Sequence, residues 1–201
     1  VLFLGGSMHF GTDEFKSEKA TLLASILAFL AVRQNDKFWT FVAQDELLCM
    51  VKQSSKINSA KILVDKILQI ECVGKAVDYK KIYSKLLKSL PKKSLVFLIG
   101  DFLQNDSFAF ELLSKKYELF ALIVRDKFEE EPKFGGNLAL CDNVSLNYFE
   151  ADFDKNFTKA QKQAIVKNDE KLFSKLQKNG VKFGKFYTNE PEFEPLAKLL
   201  K

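Results

Sequence analysis

Val1-Leu-Phe-Leu-Gly-Gly-Ser-Met-His-Phe-Gly11 opens the chain, and its reading decides the fold class. An apolar run of strand length stops at two glycines and a serine, and a third glycine follows at Gly11. Residues 16–33 then carry apolar side chains nearly all round. A buried strand, a tight turn and a helix sandwiched against a sheet form the first unit of an α/β domain. Glycine lets backbone groups approach a ligand closely, so this turn marks a binding position.

Outward from the turn, strand-length apolar runs alternate with stretches of helical period. Residues 37–43 (KFWTFVA) and 47–51 (LLCMV) are predicted strands, and the short connection between them forces an antiparallel hairpin. Helices are predicted over 59–70 and 79–90. The second is amphipathic, with Tyr79, Ile82, Tyr83, Leu86, Leu87 and Leu90 on one stripe and Pro91 as its stop. Residues 94–99 (SLVFLI) and 118–124 (ELFALIV) read as central strands covered on both faces, with a helix over 108–115 between them.

Residues 127–136 (KFEEEPKFGG) read as an acidic loop, and 138–141 with 145–149 as a short hairpin around Asp142-Asn143. Thr158 with Gln161 offers a capping box for a helix that ends before Gly180. A last strand over 182–187 and a last helix over 192–201 complete the order. The rhythm predicts an α/β domain over 1–201, a doubly wound, mostly parallel sheet with helices on both faces and one short antiparallel edge strand. Ligands of such sheets lie at the carboxyl ends of strands near the switch point. The turns over 5–11, 100–105 and 125–131 therefore share one rim.

The chain has 201 residues, enough for one full core, and 47% apolar with 28% charged residues is a globular composition. The net charge of +5 comes mostly from dispersed lysine. The only arginines are Arg33 and Arg125, a poor supply for bidentate phosphate reading, so no nucleic-acid partner is expected. Cys49, Cys72 and Cys141 read as reduced, packed thiols of a cytoplasmic protein, and His9 as the single histidine argues against zinc. The most apolar window, 20–32, is too short to span a bilayer. Because the chain opens at Val1, at or inside a strand, it is expected to be part of a longer protein.

Ser7-Met8 after the first strand, Ile99-Gly-Asp-Phe102 after the fourth, and Arg125-Asp126 with Glu129 and Pro132 after the fifth resemble a von Willebrand factor type A-like domain. More narrowly, they resemble the bacterial subgroup of unknown function linked to MoxR AAA+ ATPases. Asp142, Asn179-Gly-Val-Lys, Thr188 and Leu196 agree with it. The resemblance implies a three-layer Rossmann-type sandwich and a metal-ion-dependent adhesion site. That site combines an Asp-x-Ser-x-Ser turn, a threonine and an aspartate, oxygen ligands suited to Mg²⁺.

Aligned on Ser7-Met8, Phe3 stands at the aspartate position and Gly5 at the first serine. The threonine loop maps to Ala76-Val-Asp78, with Val77 in place of threonine, and Asp101 matches the third-loop aspartate. Ser7 and Asp101 are the residual metal candidates. The site is degenerate, and no Mg²⁺ or other cofactor is expected.

The expected partner-binding rim is Gly5, Gly6, Ser7, Met8, Asp101, Phe102, Arg125, Asp126 and Glu129. Asp101 reads as a relic ligand, a recognition carboxylate or a backbone cap. Arg125 and Asp126 read as an adjacent-loop ion pair or a partner contact. Glu129-Glu130-Glu131 is a solvated run or an attractor of a basic surface. Phe10, Phe102 and Phe128 make an apolar contact patch or pack beneath the loops.

No nucleophile elbow or catalytic triad is present, so an enzyme is not expected. The resemblance implies a protein-interaction module, an adaptor of a MoxR-type AAA+ ATPase and its client, with a membrane tether elsewhere in the parent protein left open. The alternatives are a Mg²⁺-dependent phosphohydrolase using Asp101, Asp126 and Glu129, and a nucleic-acid binder using Lys85, Lys88, Lys92 and Lys93.

Overall fold

The computed structural model describes residues 1–103, 110–132 and 135–201. Its main sheet has six strands in the order β3-β2-β1-β4-β5-β8. They are β1 (Leu2–Phe3), β2 (Phe38–Ala43), β3 (Leu47–Ser54), β4 (Leu95–Gly100), β5 (Glu118–Arg125) and β8 (Lys182–Tyr187). All neighbours are parallel except β2 and β3, the edge hairpin. The fold class is the one the alternating pattern predicts.

Helices cover both faces because the buried strands present apolar side chains to both. Along β5, Phe120, Leu122 and Val124 join one core with Leu23 of α1 (Lys16–Arg33), Leu63 of α2 (Ile57–Leu68) and Leu196 of α7 (Phe193–Leu199). Leu119, Ala121 and Ile123 enter the opposite core with Ile82 of α3 (Tyr79–Ser89), Leu113 of α4 (Phe110–Ser114) and Leu172 of α6 (Lys155–Lys178). That alternation is the two-residue period of a strand. The chain leaves β1 in opposite directions toward β2 and β4, so the switch point lies above β1, where the Gly5 turn stands.

Several local expectations are corrected. The acidic loop begins with a short helix, α5 (Lys127–Glu130), capped by Asp126, whose side chain accepts from the Phe128 N–H. Helix α6 starts one turn before Thr158, because Asp154 accepts from the Phe157 N–H at 2.6 Å. The small hairpin pairs β6 (Asn137–Cys141) with β7 (Tyr148–Asp152), so its second strand begins after 145–147. Of the three cysteines only Cys72 is buried; Cys49 and Cys141 are exposed. The expected helix start at 108, the end of the 100–105 turn and residues 133–134 of the acidic segment lie outside the described residues.

Candidate functional site

The turn after β1 is a 3-10 turn over Gly6–Met8. The Gly6 N–H donates to Lys75 O at 2.7 Å, which sets the loop containing Val77 beside it. A Cβ on Gly5 would lie 3.1 Å from Val77 Cγ2, and one on Gly6 would collide with the Asn143 carbonyl. Close approach therefore requires glycine at position 6 and leaves little room for a side chain at position 5. Asn143 Nδ2 donates to His9 O at 2.6 Å, tying the β6–β7 hairpin over the turn.

Phe3 fills the expected aspartate position with a ring. It is 2% exposed, with the Tyr79 and Phe102 centroids 5.5 and 5.6 Å away. Met8 is buried beneath the turn. Phe102 is fully buried at a positive φ of 51°, a costly conformation for a bulky residue, held by the aromatic packing around it.

Three elements then converge on Lys16, the first residue of α1. Its Nζ is 3.1 Å from Asp101 Oδ2 and 2.6 Å from Glu129 Oε1, and the lysine side chain is 0% exposed. The Leu103 N–H donates to Asp101 Oδ1 at 3.3 Å, and the Ser7 side chain favours the charged form of the same carboxylate. The Phe10 ring centroid lies 5.9 Å from Nζ, and the Phe128 ring packs against Phe10 at 6.3 Å. Burial alone would raise the Asp101 pKa, but Lys16 and Arg125 with these hydrogen bonds hold it below 3.8. For Glu129 burial wins over Lys16, and its pKa is pushed above 4.5.

Arg125 and Asp126 do not pair with each other. Arg125 is fully buried and donates from Nη2 to Asp169 Oδ1 at 2.8 Å, with Glu130 Oε1 3.9 Å from Nε. Asp126 accepts from Thr12 N (2.9 Å), Thr12 Oγ1 (2.6 Å), Thr188 Oγ1 (2.6 Å) and Phe128 N (2.8 Å). These bonds outweigh burial and lower its pKa below 3.8. The acidic run is likewise engaged, Glu130 by Lys185 at 2.6 Å and Tyr187 at 2.9 Å, Glu131 by Lys162 at 2.8 Å. Ser7 and Glu129 keep partial exposure, while Gly5, Gly6, Met8, Asp101, Phe102, Arg125 and Asp126 are buried.

Of the oxygen ligands that the resemblance implies for Mg²⁺, Ser7 and Asp101 stand together, and an ammonium already occupies Asp101 Oδ2. Phe3, Gly5 and Val77 add no side-chain oxygen, so these residues do not fit the implied ion. Among the described residues no group of three or more His, Cys, Asp or Glu side chains could hold a metal ion.

The carboxylates divide the pH response. Above pH 4.5 Glu129 binds a proton more readily folded than unfolded, so acidification toward 4.5 relieves its burial. Asp101 and Asp126 stabilise the fold fully above 3.8 and lose that contribution as pH falls through their lower folded values. Urea midpoints measured from pH 6 to pH 2.5 are expected to fall mainly below 3.8. Asp126→Asn should flatten that acid limb, and Glu129→Gln should remove the relief above 4.5.

The chain matches the family described as protein of unknown function DUF58 over residues 3–171. It belongs to the DUF58 family. This DUF58 domain is similar in structure to BatB from Bacteroides thetaiotaomicron, at 15% identity and a TM-score of 0.56, with 99% of this chain and 93% of that one covered. An aerotolerance-related membrane protein from Bacteroides fragilis NCTC 9343, carrying multiple mutations to serines, also has 15% identity and a TM-score of 0.56, with 98% and 92% covered. At such identity the likeness concerns the fold. No curated protein matches the chain. Among the described residues of the DUF58 domain, no helix is long and apolar enough to cross a membrane.

Proposed function

We propose that this DUF58 domain is a non-catalytic protein-interaction module, a von Willebrand A-like fold with a degenerate adhesion site. It acts as adaptor of a MoxR-type AAA+ ATPase in the assembly or maturation of other proteins. The observation that carries this reading is the internal engagement of the rim. Asp101 and Glu129 share Lys16, and Asp126 is saturated by Thr12, Thr188 and the Phe128 N–H. Such groups shape a surface instead of performing proton transfer or metal hydrolysis. Beside them the β6–β7 hairpin presents Leu146, Tyr148 and Phe149, with Tyr148 82% exposed, an apolar contact of the kind that protein partners cover.

Membrane attachment of the parent protein is compatible with this role, as the Bacteroides fragilis structure is of a membrane protein. The phosphohydrolase alternative needs three carboxylates around one ion. The Asp126 carboxylate is instead taken up by Thr12 and Thr188, and among the described residues no three carboxylates are grouped to hold an ion. Of the lysine cluster that would serve a nucleic acid, Lys85 is ion-paired to Glu46.

The test is affinity co-purification of the tagged full-length protein with the AAA+ ATPase in ATP-analogue and ADP states, with and without EDTA. Association that persists in EDTA is expected, and Tyr148→Ser/Phe149→Ser should weaken it at least tenfold. Absence of association in every nucleotide state would sink the reading.

A further inference from the structure

Lys16 is a fully buried cation at the point where the turns after β1, β4 and β5 meet, and lysine is almost never so buried unless paired. Its Nζ bonds to Asp101 Oδ2 at 3.1 Å and Glu129 Oε1 at 2.6 Å. Ser7, the serine of the turn after β1, favours the charged form of the same aspartate. Carboxylate oxygens from two loops thus gather around one positive charge, as anionic ligands do around a metal, but the charge is an ammonium on the chain itself. We propose that Lys16 is the resident cation of this site, standing where Ser7 and Asp101 would otherwise serve a divalent metal.

The argument is one of charge and geometry. Mg²⁺ demands six oxygens in a near-ideal octahedron at about 2.0–2.1 Å. To reach Asp101 Oδ2 it would have to enter beside an ammonium 3.1 Å from that atom, with Arg125 adding a second repulsive charge to the same carboxylate. A lysine lacks those coordination demands and is covalently tethered, so its occupancy does not depend on metal concentration. Phe10 sets a ring over the ammonium, with Phe128 packed behind it. The rim is therefore held in one charge-compensated state, which an ion cannot switch.

The test is a Mn²⁺ titration of the chain, read as paramagnetic broadening of backbone amide signals. Wild type is expected to show no saturable broadening at Ser7, Leu103 or Glu129. Lys16→Ser vacates the ammonium position and leaves Asp101 and Glu129 facing it. This variant should gain a saturable site at least tenfold tighter than any wild-type binding, abolished by Asp101→Asn in the same background.

Saturable broadening in wild type at these residues overturns the proposal, as does a folded Lys16→Ser protein that binds Mn²⁺ no better than wild type. Should Lys16→Ser fail to fold, Lys16→Ser/Glu129→Gln, which keeps the Asp101 charge and lessens the repulsion, makes the same comparison. The proposal deepens the metal-free reading of the rim but is read separately. Lost ATPase association with these titration results intact removes only the adaptor role.

Discussion

Phe3→Asp, which puts into β1 the aspartate that the proposed adhesion-type turn would carry, is expected to cost about 4 kcal/mol or more of stability and to create no Mg²⁺ response. Removing a buried phenylalanine ring from a packed core costs about 3–5 kcal/mol by itself. Phe3 is such a ring, wedged between Tyr79 and Phe102 and close against Gly100, where an added Cβ would come within 3.0 Å of its own Cβ. The new carboxylate would be desolvated among these rings and would add negative charge one strand from Asp101. Lys16 is already shared by two carboxylates, so its single positive charge is spoken for before a third carboxylate is added. Urea unfolding should show the midpoint falling by about 2 M, given a slope of roughly 2 kcal/mol/M. A midpoint close to wild type that rises further with Mg²⁺ would mean that the aspartate position is still built for metal.

The fold was legible because its decisive signals are local. The runs of β4 and β5 are apolar on both faces, and α1 has the bounds its composition predicts. Weaker boundaries failed where two similar signals competed. Thr158 and Gln161 have the spacing of a capping box, but Asp154 lies one turn earlier and reaches the Phe157 N–H. Asp126 with Glu129 has the same spacing and does form a capping box, inside a stretch whose charge reads as solvated loop.

The candidate site was half legible. Ser7, Asp101 and Glu129 lie in the turns that sheet topology brings to one rim. Lys16 went unread because a lysine opening a helix is ordinarily a solvated end, and its burial comes from where α1 abuts the loops after β4 and β5. One physical signal was available. Lys16 and Lys19 place two cations in the first helical residues, against the helix dipole. Such a placement is favourable only when anions lie nearby, as Asp101, Glu129, Glu14 and Glu192 do here. Arg125 was misread for a related reason: its partner Asp169 is 44 residues away in α6.

Arg125→Met is the second large effect expected, about 3–5 kcal/mol of lost stability. The guanidinium is fully buried at the end of β5, bonded to Asp169 at 2.8 Å and near Glu130 at 3.9 Å. Without it Asp169 keeps only Lys185, at 2.6 Å, and Lys185 is also claimed by Glu130 at 2.6 Å. The penalty comes from stranding a buried carboxylate more than from losing an attraction, because a buried pair barely repays its own desolvation. Arg125→Met/Asp169→Leu should therefore recover most of the loss, and a double-mutant cycle by urea unfolding should give a coupling of about 2–3 kcal/mol. A single variant costing under about 1 kcal/mol would mean that Lys185 alone satisfies Asp169. The double variant also isolates the contribution of Arg125 to the rim. It removes one of the two cations that depress the Asp101 pKa while Lys16 remains in place, so less stability should be lost below pH 3.8 and its acid limb should be shallower than in wild type.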